Sequence, residues 1–188
     1  MRKVIHLLSA IIPLSYLWLI KERPIMLLIL VSMTSFALLV EFMRKSVNHF
    51  SRWFYGLFHF MLRDNETKGQ YTGATWLLIG WTITVMLFKM PIAVAALLFL
   101  SIGDSFAAIV GKLFPIIRIG NKTLSGTFSG FIVSSLFVLL VNQSLLPIVI
   151  LSGSIVAMVV ELIPSRLNDN LTMPISSGLI MMYLDSIL

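Results

Sequence analysis

The chain has no cysteine among its 188 residues. Disulfides, thiolate nucleophiles and cysteine-held metal centres are therefore excluded. Charge is scarce too: Asp, Glu, Lys and Arg make up 12% of the residues, about half of what a soluble domain carries. Neither Gly111-Lys112 nor Gly120-Asn121-Lys122 has the spacing of a G-x4-G-K-[ST] loop, so a P-loop kinase of the soluble type is excluded. The H-E-x-x-H pattern is absent and no Ser/His/Asp triad is evident. The net charge of +6 comes with no RNA or DNA motif and no basic soluble face, so no nucleic-acid partner is expected. The first apolar run lacks an A-x-A-like cleavage site and more runs follow it, so a cleavable leader is not expected.

What is present is hydrophobic. Apolar residues make up 58% of the chain and the mean hydropathy is +0.97. Apolar runs of about 20 residues, the length that crosses a bilayer, recur along nearly the whole chain. The expectation is an all-α integral membrane protein, one polytopic domain over 1–188. It has about seven transmembrane helices, at roughly 4–20, 24–42, 71–88, 91–110, 125–143, 145–163 and 171–188. Pro24, Pro91 and Pro147 lie near helix starts, where a missing N–H is harmless. Between the second and third spans, "SVNHFSRWFYGLFHFML" (46–62) is rich in Phe, Trp and Arg and reads as an amphipathic helix lying in the interface. It serves either as a juxtamembrane anchor or as a wall facing substrate.

Positive charge sets the orientation. With the N-terminus inside, eleven of the fourteen Lys and Arg residues fall on the inner side; only Lys21, Arg23 and Lys89 fall outside. Glu41, Asp64, Glu66, Glu161 and Asp169 lie at the same inner helix ends or loops. Asp104 lies seven residues before Gly111, about 10 Å into the membrane from the inner end of its span. Carboxylates and cations thus converge on one face, expected to be the cytoplasmic face of a multi-pass protein, where nucleotides and Mg2+ are found.

A carboxylate inside an apolar run costs about 2.5–3.5 kcal/mol on insertion scales, so Asp104 needs a reason. In a helix, Asp104, Ala107, Ala108 and Gly111 share one stripe. Small residues there admit either a second helix or a ligand, and a carboxylate beside them suits Mg2+ and phosphate oxygens. Downstream, "GNKTLSGTFSG" (120–130) brings Lys122, Thr123 and Ser125 to a helix start containing Gly126, a setting for phosphate or, through Gly126 and Gly130, for helix contact. In "HFMLRDNE" (59–66), His59, Arg63 and Glu66 align at i, i+4 and i+7 on a continued helix, either as a solvated end or as catalytic groups. Glu161 lies in hydrocarbon with no evident local partner. Asp169 and Asn170 either cap the last helix or, for Asp169, ligate metal. His6 lies one turn beyond Arg2 and Lys3, as a structural histidine or beside an anionic ligand. Asp and Glu with Lys and Arg at helix ends are the parts of phosphoryl or nucleotidyl transfer, where catalysis is mostly positioning and charge neutralisation.

"RKVIH" (2–6), "GDSFAAIVGK" (103–112), "KTLSG" (122–126) and "ELIPSRLNDNLTMP" (161–174) occur in an order that resembles the polyprenol kinase family, which includes dolichol kinase, phytol kinase and the CTP-dependent diacylglycerol kinase of fungi. The resemblance implies a helical membrane enzyme that moves the terminal phosphate of CTP onto a lipid alcohol, a polyprenol or other isoprenoid alcohol or diacylglycerol. It implies an acidic centre at Asp104 with Gly111 as its small partner, phosphate contacts from Arg2, Lys3 and Lys122, and a late acidic segment at Glu161, Asp169 and Asn170. On this basis Asp104 with Glu161 or Asp169 would hold Mg2+, and Lys112, Lys122 and Arg2 or Lys3 would neutralise the transferred phosphate. Asp104, Glu66 or His59 would accept the hydroxyl proton. Because the chain begins at the Arg-Lys element, without the extra spans of dolichol kinases, a compact form from a microbial cytoplasmic membrane is expected. Whether it forms a homo-oligomer stays open. The alternative is a cytidylyltransferase acting on a lipid phosphate, similar to phosphatidate cytidylyltransferases, whose C-terminal paired aspartates are not found here. A transporter or scaffold with buried acids is a further alternative, disfavoured by the clustering of acids on one face.

Overall fold

The structure, a computed structural model, describes residues 2–62, 64–67, 69–164 and 167–188. It is helical apart from one two-stranded hairpin. The N-terminal segment runs through α1 (Arg2–Leu8) and α2 (Ile11–Ser15) into a π turn at Tyr16–Ile20. Then come α3 (Arg23–Ser46), α4 (Asn48–Phe58), a 3-10 turn at His59–Met61, the short α5 (Asp64–Thr67) and α6 (Gly73–Leu87). Helix α7 (Met90–Leu98) passes through a second π turn, Phe99–Gly103, into α8 (Asp104–Leu113). Strands β1 (Arg118–Ile119) and β2 (Lys122–Thr123) precede α9 (Leu124–Val141), α10 (Pro147–Leu162) and α11 (Asp169–Ile187).

Three starts follow from proline: Pro24, Pro91 and Pro147 occupy the first turns of α3, α7 and α10, where the ring presets φ and no N–H is missed. Four helical stretches are long and apolar enough to cross a membrane: Lys3–Ile20, Arg23–Ser46, Met90–Leu113 and Leu124–Val141. Of the seven expected spans, these four meet the length and composition of a membrane crossing among the described residues. Helices α6 and α10 are apolar but have 15 and 16 residues, about 22–24 Å at 1.5 Å each. Helix α11 has 19 residues, diluted by Asn, Thr, Ser and Asp.

The stretch Met90–Leu113 is the axis of the fold, with 83% of its apolar window buried; Ala93 through Leu100 are buried to 0% exposure. Helices α9, α10, α11 and α6 follow one another around it, α3 packs on α6, and the α1–α2 segment closes the remaining side. Glycine sets two of the close approaches. A Cβ on Gly126 would lie 2.3 Å from the Ala107 carbonyl oxygen and one on Gly130 2.7 Å from that of Gly103, so α9 reaches α8 backbone to backbone. The small-residue stripe serves helix packing where Ala107 meets α9, and Ala107, Ala108 and Gly111 also line a cavity.

A further lock lies at the end of α3. Arg44, 3% exposed, donates through Nε and Nη2 to Glu41 Oε2, through Nη1 to Tyr55 Oη and the Glu66 carbonyl, and through Nη2 to the Gln70 carbonyl. All five guanidinium hydrogens are used. Glu41, 2% exposed, also accepts from Thr72 N at 2.7 Å and Thr75 Oγ1 at 3.1 Å. One pair thus fixes α3, α4, the segment after α5 and the start of α6.

Candidate phosphate site at a junction of two cavities

The site is built from four places in the chain. Helix α1 brings Lys3 and His6, α8 brings Asp104, the hairpin brings Lys122, and α10 and α11 bring Glu161 and Asp169. The hairpin turns at Gly120-Asn121, with Gly120 at φ +59°. A two-residue turn of this kind favours glycine at positive φ, and it points Lys122 back toward the helices.

Asp104 is 8% exposed. Its Oδ2 lies 2.7 Å from Lys3 Nζ and 3.3 Å from His6 Nε2, and its Oδ1 3.9 Å from Lys122 Nζ. Lys122 Nζ also donates to Glu161 Oε1 and lies 3.4 Å from Asp169 Oδ2. Thr127 Oγ1 approaches Glu161 Oε2 at 3.4 Å. Glu161, which has no partner nearby in sequence, therefore finds one 39 residues away. Burial pulls the Lys122 ammonium toward neutrality, but Glu161, and more weakly Asp104 and Asp169, outweigh it and hold its pKa above the ordinary lysine value.

These groups line a cavity of about 1120 Å³. Its walls carry five cations, Lys3, Lys45, Lys112, Arg118 and Lys122, against three carboxylates, Asp104, Glu161 and Asp169, an excess that suits an anion. A second cavity of about 380 Å³, lined largely by apolar residues, adjoins the first: Lys3, Asp104 and Asn170 line both.

Several expected site residues are spent elsewhere. Helix α4 stops at Phe58 and Leu62 is extended, so the expected stripe of His59, Arg63 and Glu66 does not form. His59 is exposed and lines neither cavity. Arg63 lies outside the described residues, as does the side chain of Arg2. Glu66, 7% exposed, lines the apolar cavity and accepts from the Gly73 N–H at 2.9 Å, capping α6. Thr123 is the N-cap of α9: its Oγ1 accepts from Gly126 N at 3.2 Å, which takes an N–H expected to face phosphate. Ser125 donates to the Phe114 carbonyl and accepts from Ile116 N at 3.2 Å; it and Gly126 are not among the cavity-lining residues. Lys3, Lys112, Lys122, Thr123, Gly111, Asn170 and the three carboxylates do line it.

The cap of α11 is Asn168, whose side chain accepts from Asn170 N, leaving Asp169 as a first-turn residue facing Lys122. Asn170 Nδ2 donates to the Gly73 carbonyl at 3.0 Å. Its own carbonyl loses its helical donor to Pro174, and Gly80 approaches so closely there that a Cβ would lie 2.2 Å from that oxygen. Lys45, Arg118 and Thr127 were not singled out as site residues by sequence; their signal is only their place near a span end or a glycine turn, whereas His6, read there as structural or beside an anionic ligand, faces Asp104.

The chain is similar to an uncharacterized protein of Rickettsia prowazekii (strain Madrid E), 29% identical over 191 aligned positions that cover 93% of this chain and 89% of that protein. No protein-family model matches the chain. No solved structure matches it either.

As a metal site the carboxylates offer hard oxygen donors, the chemistry Mg2+ takes. Among the described residues no three His, Asp or Glu side chains form a metal-holding group; Asp104, Glu161 and Asp169 converge on the Lys122 ammonium instead. Mg2+ is usually bound by one or two carboxylates with phosphate oxygens and waters, so the donors are of the right chemistry, while the Lys122 ammonium occupies the place between them.

Proposed function

We propose that the chain is a CTP-dependent lipid-alcohol kinase, a phosphotransferase that moves the terminal phosphate of a nucleotide onto a membrane alcohol. The observation that carries the reading is the junction: Asp104 and Lys3 belong at once to a cation-rich cavity of about 1120 Å³ and to an apolar one of about 380 Å³. Pockets that take small-molecule ligands have volumes of about 300–1,000 Å³. The larger cavity has that room. The smaller one suits an apolar tail whose hydroxyl reaches Asp104.

In this reading Lys3 and Lys122 bind the transferred phosphate and neutralise the charge that develops on it, with Lys112 and Arg118 drawing the nucleotide in from the rim. Asp104, with Glu161 or Asp169, would hold Mg2+, which supplies charge neutralisation on the phosphates when bound. The acceptor oxygen bonds to the terminal phosphorus, the bond to the diphosphate breaks, and the hydroxyl proton leaves through a carboxylate at the junction, Asp104 being the one placed there. CTP as donor rests on the resemblance of "GDSFAAIVGK" and "KTLSG" to polyprenol kinases. The seven-span arrangement belongs to the same reading: α6, α10 and α11 would cross with local thinning of the bilayer, and the inner bias of Lys and Arg puts the site at the cytoplasm.

The test uses purified protein, Mg2+, lipid alcohols and lipid phosphates, with CTP labelled in parallel at the α or γ phosphate. Label from γ on an alcohol is the expected result, lost in Asp104→Asn while the variant keeps its thermal transition. Label from α on a lipid phosphate would establish the cytidylyltransferase instead, and full activity in Asp104→Asn would refute the assignment of that residue.

A further inference from the structure

The smaller cavity restricts what can present a hydroxyl to Asp104. At about 30 Å³ per water-sized group, its 380 Å³ holds about a dozen methylene-sized units. Phe36 and Ala37 of α3, Phe54 and Phe58 of α4, and Ala74 and Leu77 of α6 form its walls. Phe36 is 67% and Phe58 38% exposed, which puts them at the open side, where α4 has no buried residue of its own. Phe54 stands 4.9 Å from Phe58, centroid to centroid, and under the Arg44 guanidinium at 5.8 Å, so the aromatic wall is tied to the lock at the end of α3.

The polar end selects the head group. Two of the residues there are the buried carboxylates Asp104 and Glu66. Lys3 and His6 face Asp104 there at 2.7 and 3.3 Å. A hydroxyl donates to a carboxylate oxygen and accepts from Lys3, so it suits this mixed set of charges. The walls select the tail. A glycerolipid with two chains must bring two ester groups and the root of a second chain through the same space, where the walls are largely apolar and the Thr75 hydroxyl and Asn170 amide already donate to Glu41 and to the Gly73 carbonyl.

We infer that the acceptor is an alcohol bearing a single apolar chain, admitted from the bilayer past α4, and that Phe36, Phe54 and Phe58 select it against two-chain glycerolipids. This rests on the lipid-alcohol reading and deepens it by naming the class of acceptor.

The test needs no turnover. Full-length protein in nanodiscs is irradiated with a long-chain primary alcohol carrying a diazirine, and adducts are mapped by peptide mass spectrometry. The expected adducts fall on the lining residues Phe36, Ala37, Val40, Phe54 and Phe58, and an unlabelled single-chain alcohol displaces them at about tenfold lower concentration than diacylglycerol. Ala37→Phe, which fills the cavity, lowers labelling about tenfold with the thermal unfolding midpoint as the control for folding. Phe58→Ala, which widens the mouth, brings diacylglycerol to parity. Equal displacement by diacylglycerol in the wild type, undiminished labelling in Ala37→Phe, or adducts confined to outward residues such as Leu28 and Leu39 would overturn the inference. Transfer from γ-labelled CTP is followed on the same samples: labelling of α3 and α4 without transfer from any nucleotide would leave the acceptor cavity standing and refute the kinase reading.

Discussion

Removing Arg44 tests whether the inner ends of α3, α4 and α6 are one unit. In Arg44→Met the volume is nearly kept, but Glu41 stays buried at 2% exposure with only Thr72 N and Thr75 Oγ1 as donors. The Glu66 and Gln70 carbonyls lose the donors that reach them at 2.7 and 2.6 Å. Breaking a buried ion pair from one side costs about 3–5 kcal/mol. At about 2–4 °C per kcal/mol for a chain of this size, the midpoint should fall by about 10 °C. Arg44→Lys should recover little, because three donors on a point charge cannot reach four acceptors arranged around a planar fork. Adding Glu41→Gln to Arg44→Met should restore part of the loss, since the amide keeps an acceptor for Thr72 without a stranded charge. The assay is thermal unfolding in detergent with the double-mutant cycle completed. A midpoint within about 2 °C of wild type for Arg44→Met, or additivity of the two substitutions, would refute the reasoning.

Gly126→Ala places a Cβ 2.3 Å from the Ala107 carbonyl oxygen; overpacking of this kind costs about 1–3 kcal/mol, read as a lower unfolding midpoint. Lys122 has its pKa raised on folding, so the stability it contributes is complete below its unfolded value of about 10.4 and is lost as pH rises through the higher folded value. Unfolding midpoints should therefore be insensitive to this group at neutral pH and fall above about pH 10, a decline that Lys122→Met should lack.

How much of this was legible in sequence depends on the range of the interaction. Helix starts at Pro24, Pro91 and Pro147 depend on the residue itself. The Asp104, Ala107, Ala108, Gly111 stripe was legible because all four lie within α8. The π turn at Phe99–Gly103 ends just before it, and a wheel drawn from further upstream would have carried the wrong face into the site. Breaks in the helix defeat the same logic at His59, Arg63 and Glu66, where the nearest breaker, Gly56, lies inside α4 and does not mark its end at Phe58. Thr123 and Ser125 were the right residue types for phosphate, but caps and loop ties compete for the same oxygens, and local competition of this kind is won within a few residues. The pairing of Glu161 with Lys122 is set by how α10 packs against α9 and the hairpin, a fact of tertiary structure that no spacing encodes. The double role of Asp104 as wall of two cavities is of the same kind.

The position of Lys122 carries a last prediction. Its ammonium lies among Glu161, Asp169 and Asp104, where it does for the carboxylates what a divalent cation would do. A phosphate entering the cavity competes for that ammonium, and whatever phosphate takes from Glu161, 3% exposed, another cation must replace. In Lys122→Met the exchange is forced without nucleotide. Asp104 keeps Lys3 on its Oδ2, but its Oδ1, Glu161 and Asp169 then face one another with no ammonium between them, so a divalent cation should bind the variant more tightly than wild type, by about tenfold or more given the charge involved. Mn2+ titrations followed by electron paramagnetic resonance read the affinity directly. The unfolding midpoint supplies a second readout: Mn2+ should raise it more in Lys122→Met than in wild type, because the ion relieves a buried charge that the substitution leaves unpaired. Equal Mn2+ affinity in both proteins would mean that the carboxylates are held apart by the packing of α8, α10 and α11 rather than by the ammonium, and the three would then not be a cation site in any state of the protein.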